Sequence, residues 1–316
     1  MLYPVAFEAD VIKPKSVKIN NQKFVLWKGK KITCMPDRCP HRYAELSKGI
    51  VKNNKIECPY HGWTFNEKGA CTHIPQLVDG TVKPKSCNLK SIPVSVHDGI
   101  IWMADETYTK NLPEFRKEFK PFYITDQAYY LPYSYELQIE NLLDPAHLHF
   151  VHDGFQGNRN NACPIKLESF EETENEIFGY FIHLDNTTPD LSIRFYKPSI
   201  VDVSVIDKKS KKLMRKNIIY VSPGDDNHCN VLFRDISVND VLMGLHESNR
   251  VFEKNYKRLN RTIIDLITDQ DIAVIRSQSS NIQDYCNVKY ALPCEADRMI
   301  VAFRKWICKT YLNKSK

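Results

Sequence analysis

Two short motifs in the first third of the chain combine cysteine with histidine. One residue separates Cys39 from His41, two residues separate Cys58 from His61, and sixteen residues lie between the motifs. A two-iron, two-sulfide cluster can take two thiolates on one iron and two imidazoles on the other, which raises its reduction potential. A structural zinc site uses the same ligand types but usually groups Cys with Cys and His with His. The interleaved order therefore favours an iron–sulfur cluster.

The residues beside these motifs suit tight metal-binding loops. Pro40 and Pro59 stiffen the backbone by fixing φ, and Gly62 permits a tight turn. Cys71 and His73 repeat the first spacing, but no Cys-x-x-His pair follows them. We interpret this second Cys-x-His as structural.

A third group of residues suggests an open iron site. Iron that activates O₂ outside haem is typically held by two histidines and one carboxylate, which leaves coordination positions free. The segment from Asp144 to His152 contains His147, His149 and His152. On an ideal helix His147 and His152 lie about 140° apart, so the helix must distort or end between them for the two side chains to converge. His149 lies about 200° from His147 and is interpreted as structural or as a surface residue.

The carboxylates near these histidines have more than one interpretation. Asp144 lies one turn before His147, and it also precedes Pro145 as a helix-capping residue would. The third iron ligand must come from a distant part of the chain. Asp271 and Asp269 are the candidates, and they lie about 200° apart on a predicted helix.

The elements that must position these residues differ between the two parts of the chain. The first hundred residues predict short strands with turns, a pattern of small β-sandwiches or barrels. Examples are Val17–Asn20, Lys23–Lys28 and Ile100–Met103. A charged stretch over Asp105–Pro121, with two prolines, predicts a linker.

The rest of the chain mixes helices with a sheet. Leu137–His152 has helical spacing, and residues 178–238 alternate as strands do. Apolar positions recur at helical intervals from Ser248 to about Ser280, and Glu295–Tyr311 predicts a last amphipathic helix.

Composition excludes several classes of protein. The 316 residues are 42% hydrophobic and 26% charged, and the longest apolar runs are too short to cross a membrane. The net charge is +6, with lysines scattered as on a solvated surface, although they could also help an acidic redox partner to dock. We expect no nucleic-acid binding, no signal peptide and a cytoplasmic location. Ten irregularly spaced cysteines favour a reduced compartment with metal-binding thiolates over a disulfide framework.

With these motifs the sequence resembles the Rieske-type non-haem iron oxygenases, the ring-hydroxylating and related enzymes. Three segments carry the similarity in the first part: Cys39-Pro-His41-Arg42, Leu46-Ser47-Lys48-Gly49 and Cys58-Pro-Tyr-His61-Gly-Trp63. In the second part Asp144-x-x-His147-x4-His152 is similar to the catalytic motif of the family. The resemblance extends from Tyr3 to Trp306, and in that family Arg42 and Trp63 pack around the cluster ligands.

The resemblance implies an α+β fold of two domains. Residues 1–108 would form an all-β Rieske [2Fe-2S] domain. Residues 109–316 would form a helix-grip (START-like) catalytic domain with an antiparallel sheet around a long helix. Such oxygenases are commonly head-to-tail homotrimers, in which a closed ring brings the cluster of one protomer to the iron of the next.

The resemblance also assigns the metal ligands. The [2Fe-2S] cluster would be held by Cys39, His41, Cys58 and His61, and the mononuclear Fe(II) by His147, His152 and Asp271. The family places its carboxylate ligand in a long helix of this kind. In the resemblance Asp271 is preferred to Asp269 as that ligand. Asp144 would link a cluster histidine of one subunit to an iron-bound histidine of its neighbour, a role compatible with capping.

The implied activity belongs to the monooxygenases and dioxygenases that act on paired donors. A ferredoxin or flavin reductase would supply two electrons, and O₂ would leave one oxygen atom in a cyclic organic product. Within the family, Tyr3–Asp10, Glu140–His147 and Gln156–Arg159 look most like the branch of pheophorbide and chlorophyllide oxygenases. A chlorophyll-type tetrapyrrole is thus one candidate substrate. The alternatives are an oxygenase or demethylase of a small alkaloid or aromatic compound, and a non-catalytic Rieske electron carrier.

Overall fold

A computed structural model of the protein describes residues 2–104, 109, 111–118, 123–237 and 250–314. They divide into two compact units. The first comprises Met1–Glu118 with Ser222–Asp226, and the second comprises Phe119–Val221 with Asn227–Lys316. The domain boundary expected between residues 108 and 109, and part of the expected linker, fall on residues outside the described ranges.

The first unit is built from short strands. Its elements are β1 (Tyr3–Phe7), β2 (Lys15–Ile19), β3 (Gln22–Lys28), β4 (Ile32–Pro36), β5 (Ile50–Lys52), β6 (Lys55–Glu57), β7 (Thr64–Phe65), β8 (Cys71–His73), β9 (Ser95–His97), β10 (Ile100–Met103) and helix α1 (Phe115–Glu118). The described strands form three sheets with the orders β1-β10-β9, β2-β3-β4 and β5-β6-β7-β8. This agrees with the all-β unit that the sequence predicts.

Local sequence explains the hairpin between β2 and β3. Asn20 and Asn21 join β2 to β3 with φ angles of 47° and 66°. Asparagine tolerates this left-handed region better than most residues, and paired positive φ values match the twist of a two-residue hairpin. The resulting register places Val17 opposite Phe24 and closes the β2-β3-β4 sheet.

The second unit wraps a long sheet around helices. Its elements are β11 (Tyr123–Leu131), α2 (Tyr135–Leu143), α3 (Leu148–Val151), β12 (Ile165–Glu172), β13 (Glu176–His183), β14 (Asp190–Tyr196), β15 (Ile200–Ile206), β16 (Leu213–Asp225), β17 (His228–Ser237), α4 (Arg250–Asn281) and α5 (Arg298–Lys314). The seven strands have the order β11-β17-β16-β15-β14-β13-β12. The predicted α+β class is confirmed, with a β unit first and an antiparallel sheet with helices second.

One apolar core joins the helices to this sheet. It combines Leu137 and Ile139 of α2 with Phe181 and Phe195 of the sheet and Phe303 of α5, all at most 4% exposed. None of the described helices is long and apolar enough to cross a membrane.

A buried ion pair ties α2 to the C-terminal helix. Glu140 accepts a hydrogen bond from Arg304 Nη1 at 2.9 Å and another from the Tyr285 hydroxyl. Arg304 Nη2 donates to the carbonyl oxygens of Tyr285 and Val288 at 2.7 and 3.0 Å. Because α2 ends immediately before Asp144, this pair also fixes the end of α2 from which the histidine segment continues.

Glu140→Ala should lower the free energy of unfolding by about 3–5 kcal/mol, because it leaves the Arg304 charge buried and unpaired. Glu136→Ala is the matched control on the same helix. Glu136 is only partly buried and accepts a bond from Tyr311, so its loss should change stability by less than about 1 kcal/mol. Chemical denaturation of both variants measures the difference. Equal effects would contradict the importance of the buried pair.

The structure departs from the sequence prediction at two cysteines. Cys286 and Cys308 form a disulfide with a Cα–Cα distance of 5.5 Å, whereas the composition favoured free thiols. The pair forms because residues 282–294 fold back onto α5, a contact that cysteine spacing does not reveal. The other eight cysteines are free.

Candidate cluster loops and candidate iron centre

The two Cys-His loops of the first unit share one backbone design. Cys39 N–H donates to Ala44 O, and Cys39 O accepts from Tyr43 N–H, both at 2.8 Å. The second loop repeats both bonds: Cys58 N–H donates to Trp63 O at 2.8 Å, and Gly62 N–H donates to Cys58 O at 3.1 Å. The residue four positions after each cysteine has a positive φ, 57° at Tyr43 and 71° at Gly62. The loops are thus a matched pair that presents two equivalent Cys-His sets.

The side chains of these loops meet with the thiols inside and the imidazoles outside. Cys39 and Cys58 are 1% and 2% exposed and belong to the same buried cluster of side chains. The rings of His41 and His61 lie 4.5 Å apart, and His41 is exposed. Trp63 stacks on His41 with the centroids 4.8 Å apart and the planes 3° from parallel. The packing position that the resemblance gave to Trp63 is therefore filled by a direct ring contact.

These four residues would hold a [2Fe-2S] cluster through two buried thiolates and two more accessible imidazoles. Burial raises the pKa of the Cys39 thiol to about 12, since a lone thiolate would be poorly solvated there. A bound metal replaces the thiol proton and supplies the missing positive charge. Burial, then the neighbouring His41 and Arg42, lowers the pKa of His61, which favours the neutral ring that ligates metal. Electrons would reach such a cluster most directly through the exposed histidine side.

Cys58→Ser should abolish the cluster because serine supplies no thiolate of comparable metal affinity. The purified variant should lack acid-labile sulfide and visible absorption. Cys71→Ser is the control, since Cys71 is also buried, belongs to the second Cys-x-His and carries no assigned ligand role. A cluster that persists in Cys58→Ser, or that is lost only in Cys71→Ser, would contradict the assignment.

The histidine segment of the second unit begins with a break in the helix. Helix α2 ends at Leu143, and Asp144 is extended with φ −98° and ψ 107°. Pro145 explains this, because proline disfavours helical angles in the residue before it. Asp144 Oδ1 then accepts the Ala146 N–H at 2.7 Å, as a capping carboxylate does. The break lies before both histidines and not between them as the sequence predicted, because the short helix α3 separates His147 from His152 and ends there.

Both histidines lie beside one carboxylate of helix α4. Asp271 Oδ1 lies 3.3 Å from His152 Nε2 and 3.8 Å from His147 Nε2. One ligand atom from each of the three residues lies within 4.8 Å of the ligand atoms of the other two. Asp269 is exposed on the same helix and does not join them. His149 is buried instead, where its Nδ1 accepts the Asn158 N–H at 3.3 Å.

The three residues fit a divalent iron. Asp271 Oδ1 is shielded from solvent and has no hydrogen-bond partner in the described structure, which a metal ion would remedy. The Nε2 atoms of both histidines face this oxygen. The Nδ1 atom on the opposite side of each ring has its own hydrogen-bond partner. His147 Nδ1 lies 2.7 Å from the Asp144 carbonyl oxygen, and His152 Nδ1 lies 3.0 Å from Gln270 Oε1. Such outer bonds fix the tautomer that leaves Nε2 free for metal.

Gln270 was missed in the sequence, although its place beside Asp271 is a usable signal.

The electrostatics of His147 also point to a cation. Burial disfavours its charged ring, but the carboxylates of Asp144 and Asp271 outweigh burial and raise the pKa of His147. A positive charge at this point, proton or metal, is therefore stabilised.

A cavity of about 110 Å³ opens beside this triad, room for several waters and so for part of a small organic molecule. Its wall is mostly apolar. The sheet contributes Leu191, Ile193, Val203, Ile219, Val231 and Phe233. Helices contribute the three candidate ligands, so any molecule in the cavity lies next to the metal position. The cavity thus places apolar side chains next to the three candidate ligands.

Comparison with known families separates the chain into two matched regions. Residues 1–93 match the family described as Rieske [2Fe-2S] domain. Residues 133–312 match the family described as vanillate O-demethylase oxygenase C-terminal domain. The second match covers more than half of the chain. Both candidate metal sites fall inside the matched regions.

Individual relatives extend the match over nearly the whole chain. Protein TIC 55 of Pisum sativum is 27% identical over 94% of this chain and 55% of its own length. Pheophorbide a oxygenase of Oryza sativa subsp. japonica is 27% identical over 97% of this chain and 64% of its own length. The chain thus spans less than two thirds of these relatives, both chloroplast proteins by name. Dicamba monooxygenase bound to dicamba shares the fold, with a TM-score of 0.77, 20% identity and 98% of each chain covered.

Proposed function

This chain belongs to the Rieske non-haem iron oxygenases, and from that premise we propose that it monooxygenates a cyclic organic substrate with O₂ and two electrons. One observation carries the proposal. His147, His152 and Asp271 converge beside an apolar cavity in a chain that also has a Rieske [2Fe-2S] domain. A cluster that delivers electrons and an open iron site that uses them are the two parts that this chemistry needs.

The residues of the second unit would divide the work as follows. His147, His152 and Asp271 hold the iron, which when bound supplies the oxidising chemistry. The apolar strand residues of the cavity hold the substrate ring and exclude water, which limits unproductive reduction of O₂. Gln270 orients His152, and the Asp144 carbonyl orients His147.

Electrons would enter through the exposed His41–His61 side of the cluster from a ferredoxin or a flavin reductase. We propose a head-to-tail homotrimer in which Asp144 bridges a cluster histidine of one protomer and His147 of the next. Asp144 suits this role because Oδ1 caps the following turn, whereas Oδ2 lies 3.7 Å from His147 Nδ1 on a side chain that is 28% exposed. The cluster ligands remain Cys39, His41, Cys58 and His61, within residues 1–108, and residues 109–316 form the catalytic domain.

The substrate is proposed as a ring compound. One relative is by name an oxygenase of pheophorbide a, and one structural neighbour holds dicamba. A chlorophyll-type tetrapyrrole would place one edge in the cavity, whereas a small alkaloid or aromatic compound would place a larger share of its ring there. A cytoplasmic location stays a proposal, because the two relatives are chloroplast proteins by name.

A single turnover with ¹⁸O₂ tests the proposal. Chemically reduced protein is mixed with a pool of chlorophyllides, guanidinium alkaloids, sterols and methoxy-aromatics, and products are analysed by mass spectrometry. A product with one labelled oxygen supports a monooxygenase and identifies its substrate class. The rival function, a Rieske electron carrier, predicts only the two cluster irons and no substrate-dependent O₂ uptake. That result with a fully reduced cluster would overturn the oxygenase.

A further inference from the structure

One face of helix α4 runs along the cavity from the candidate iron to Asn260. Asp271 lies eleven positions after Asn260, which is three turns and about 20° on an α-helix, so the two residues share a face. At 1.5 Å per residue they are about 16 Å apart along the helix axis. Ile264, Ile267 and Thr268 lie between them and line the cavity. The helix thus places Asp271 at one end of this face and Asn260 at the other.

Arg215 meets α4 at the end away from the iron position. It lies on β16, and its side chain lines the cavity. Arg215 Nη2 donates to Asn260 Oδ1 at 3.0 Å, and Arg215 Nε donates to the carboxylate of Asp235. The third guanidinium nitrogen, Nη1, makes no hydrogen bond to any described residue and is not shielded from solvent. Because a guanidinium can only donate, Nη1 is a donor open to a ligand.

The rest of this strand offers the cavity no acceptor. Arg215 is paired with Val205 of β15, and Asn217, two residues later on the same side of β16, is paired with Val203. The Asn217 oxygen is shielded, which leaves the amide nitrogen as the accessible polar atom of that partly exposed side chain. Ile219 continues the row and also lines the cavity. Both polar side chains that β16 contributes to the wall therefore present N–H donors among apolar neighbours.

The charge of Arg215 is already paired. Asp235 is fully buried and also accepts a hydrogen bond from Asn260 Nδ2 at 2.7 Å. A carboxylate on a ligand would bring a second negative charge to this pair and would lose its own hydration without a free counter-ion. A neutral carbonyl oxygen accepts the N–H bond without burying a further charge. The ion pair therefore favours a carbonyl over a carboxylate.

We propose that Arg215 is a specificity-determining residue that binds a neutral carbonyl oxygen at the end of the substrate remote from the iron. The inference rests on the proposed function and narrows its substrate to neutral ring compounds whose carbonyl group is distant from the oxidised carbon. Arg215 Nη1 donates to that oxygen, while Ile264 and Ile267 contact the ring. Because the carbonyl is held at one end of the cavity, its distance from each carbon of the ring selects which carbon faces the iron ligands.

Binding to the reduced, anaerobic holoprotein tests the proposal without turnover. The probes are matched pairs in which a methylene group replaces the carbonyl: chromanone with chroman, and flavanone with flavan. Equilibrium dialysis with mass spectrometry measures each affinity. The carbonyl member of each pair should bind about tenfold better, the value of one hydrogen bond. Chroman carboxylate extends the first pair, and it should bind no better than chromanone.

Arg215→Lys removes the open donor and keeps the ion pair, since the single lysine nitrogen can bind Asp235 but leaves no second nitrogen for the cavity. It should reduce the preference for the carbonyl member about tenfold and leave the affinity for chroman and flavan unchanged. Ile219→Val is the matched control on the same strand, and it should weaken both members of each pair alike. Should the lysine variant not fold, Arg215→Leu combined with Asp235→Asn removes the donor and its counter-charge together.

Equal binding of the two members of each pair, or no binding of any probe, overturns the proposal. A carbonyl preference that survives in the Arg215 variants also overturns it, as does tighter binding of chroman carboxylate than of chromanone. Carbonyl-selective binding without an ¹⁸O-labelled product would instead reject the oxygenase activity and leave this ligand preference standing. A labelled product without any carbonyl preference would reject only the role of Arg215.

Discussion

Asp271→Ala should release the mononuclear iron and abolish product formation while the Rieske cluster remains. The carboxylate is the only ligand that α4 contributes to the described triad, and its Oδ1 lies 3.3 and 3.8 Å from the two histidine nitrogens. Alanine leaves two imidazoles, too few to retain a labile ferrous ion. Iron analysis should find only the cluster irons, and visible absorption of the cluster should be unchanged.

Asp269→Ala is the control for this prediction. Asp269 lies on the same helix but is exposed and outside the triad, so its loss should preserve iron content and turnover. Iron loss from the Asp269 variant with retention in the Asp271 variant would reverse the assignment. Loss from both would indicate a general effect of charge on α4.

Asp144→Asn should slow substrate turnover by about 10- to 100-fold with both metal centres filled. Asparagine keeps an oxygen for the Ala146 N–H, so the turn before His147 should survive. The change removes only the negative charge, which the proposed bridge to a neighbouring protomer requires. Rapid-mixing measurements should show that electrons leave the reduced cluster slowly when substrate and O₂ are present.

The carboxylate Asp153 provides a matched control for Asp144. It is exposed and accepts the Arg159 N–H at 3.0 Å, a bond that asparagine can also accept. Asp153→Asn should turn over normally. Full activity in the Asp144 variant would reject the bridge, and loss of mononuclear iron would show that Asp144 acts by positioning His147.

The cluster loops could be predicted because all their information is local. Each loop carries one Cys, one His and a proline within four residues, and the interleaved order of Cys and His favours an iron–sulfur cluster over zinc. The backbone then repeats the same two hydrogen bonds in both loops. The asymmetry between buried thiols and exposed imidazoles was not visible, because burial depends on the strands that pack beneath the loops.

The candidate iron site was predictable only in part. The spacing of His147 and His152 predicted a distortion between them, whereas the helix breaks before both, at Asp144, because Pro145 restricts the residue before it. The choice between Asp271 and Asp269 depended on the phase of α4 against the histidine segment. Tertiary packing set that phase, and it placed Asp271 beside both histidines and Asp269 in solvent.

The sequence by itself determined the family, the α+β class and the residue types for two metal centres, because motifs and periodicity are properties of neighbouring residues. Only the tertiary structure decided which distant residues contact one another. The Gln270–His152 contact, the Glu140–Arg304 pair and the Cys286–Cys308 bond all depend on which distant segments meet. Strand register and helix packing set those meetings, and alternation in a sequence fixes the face of a strand but not its neighbour across the cavity.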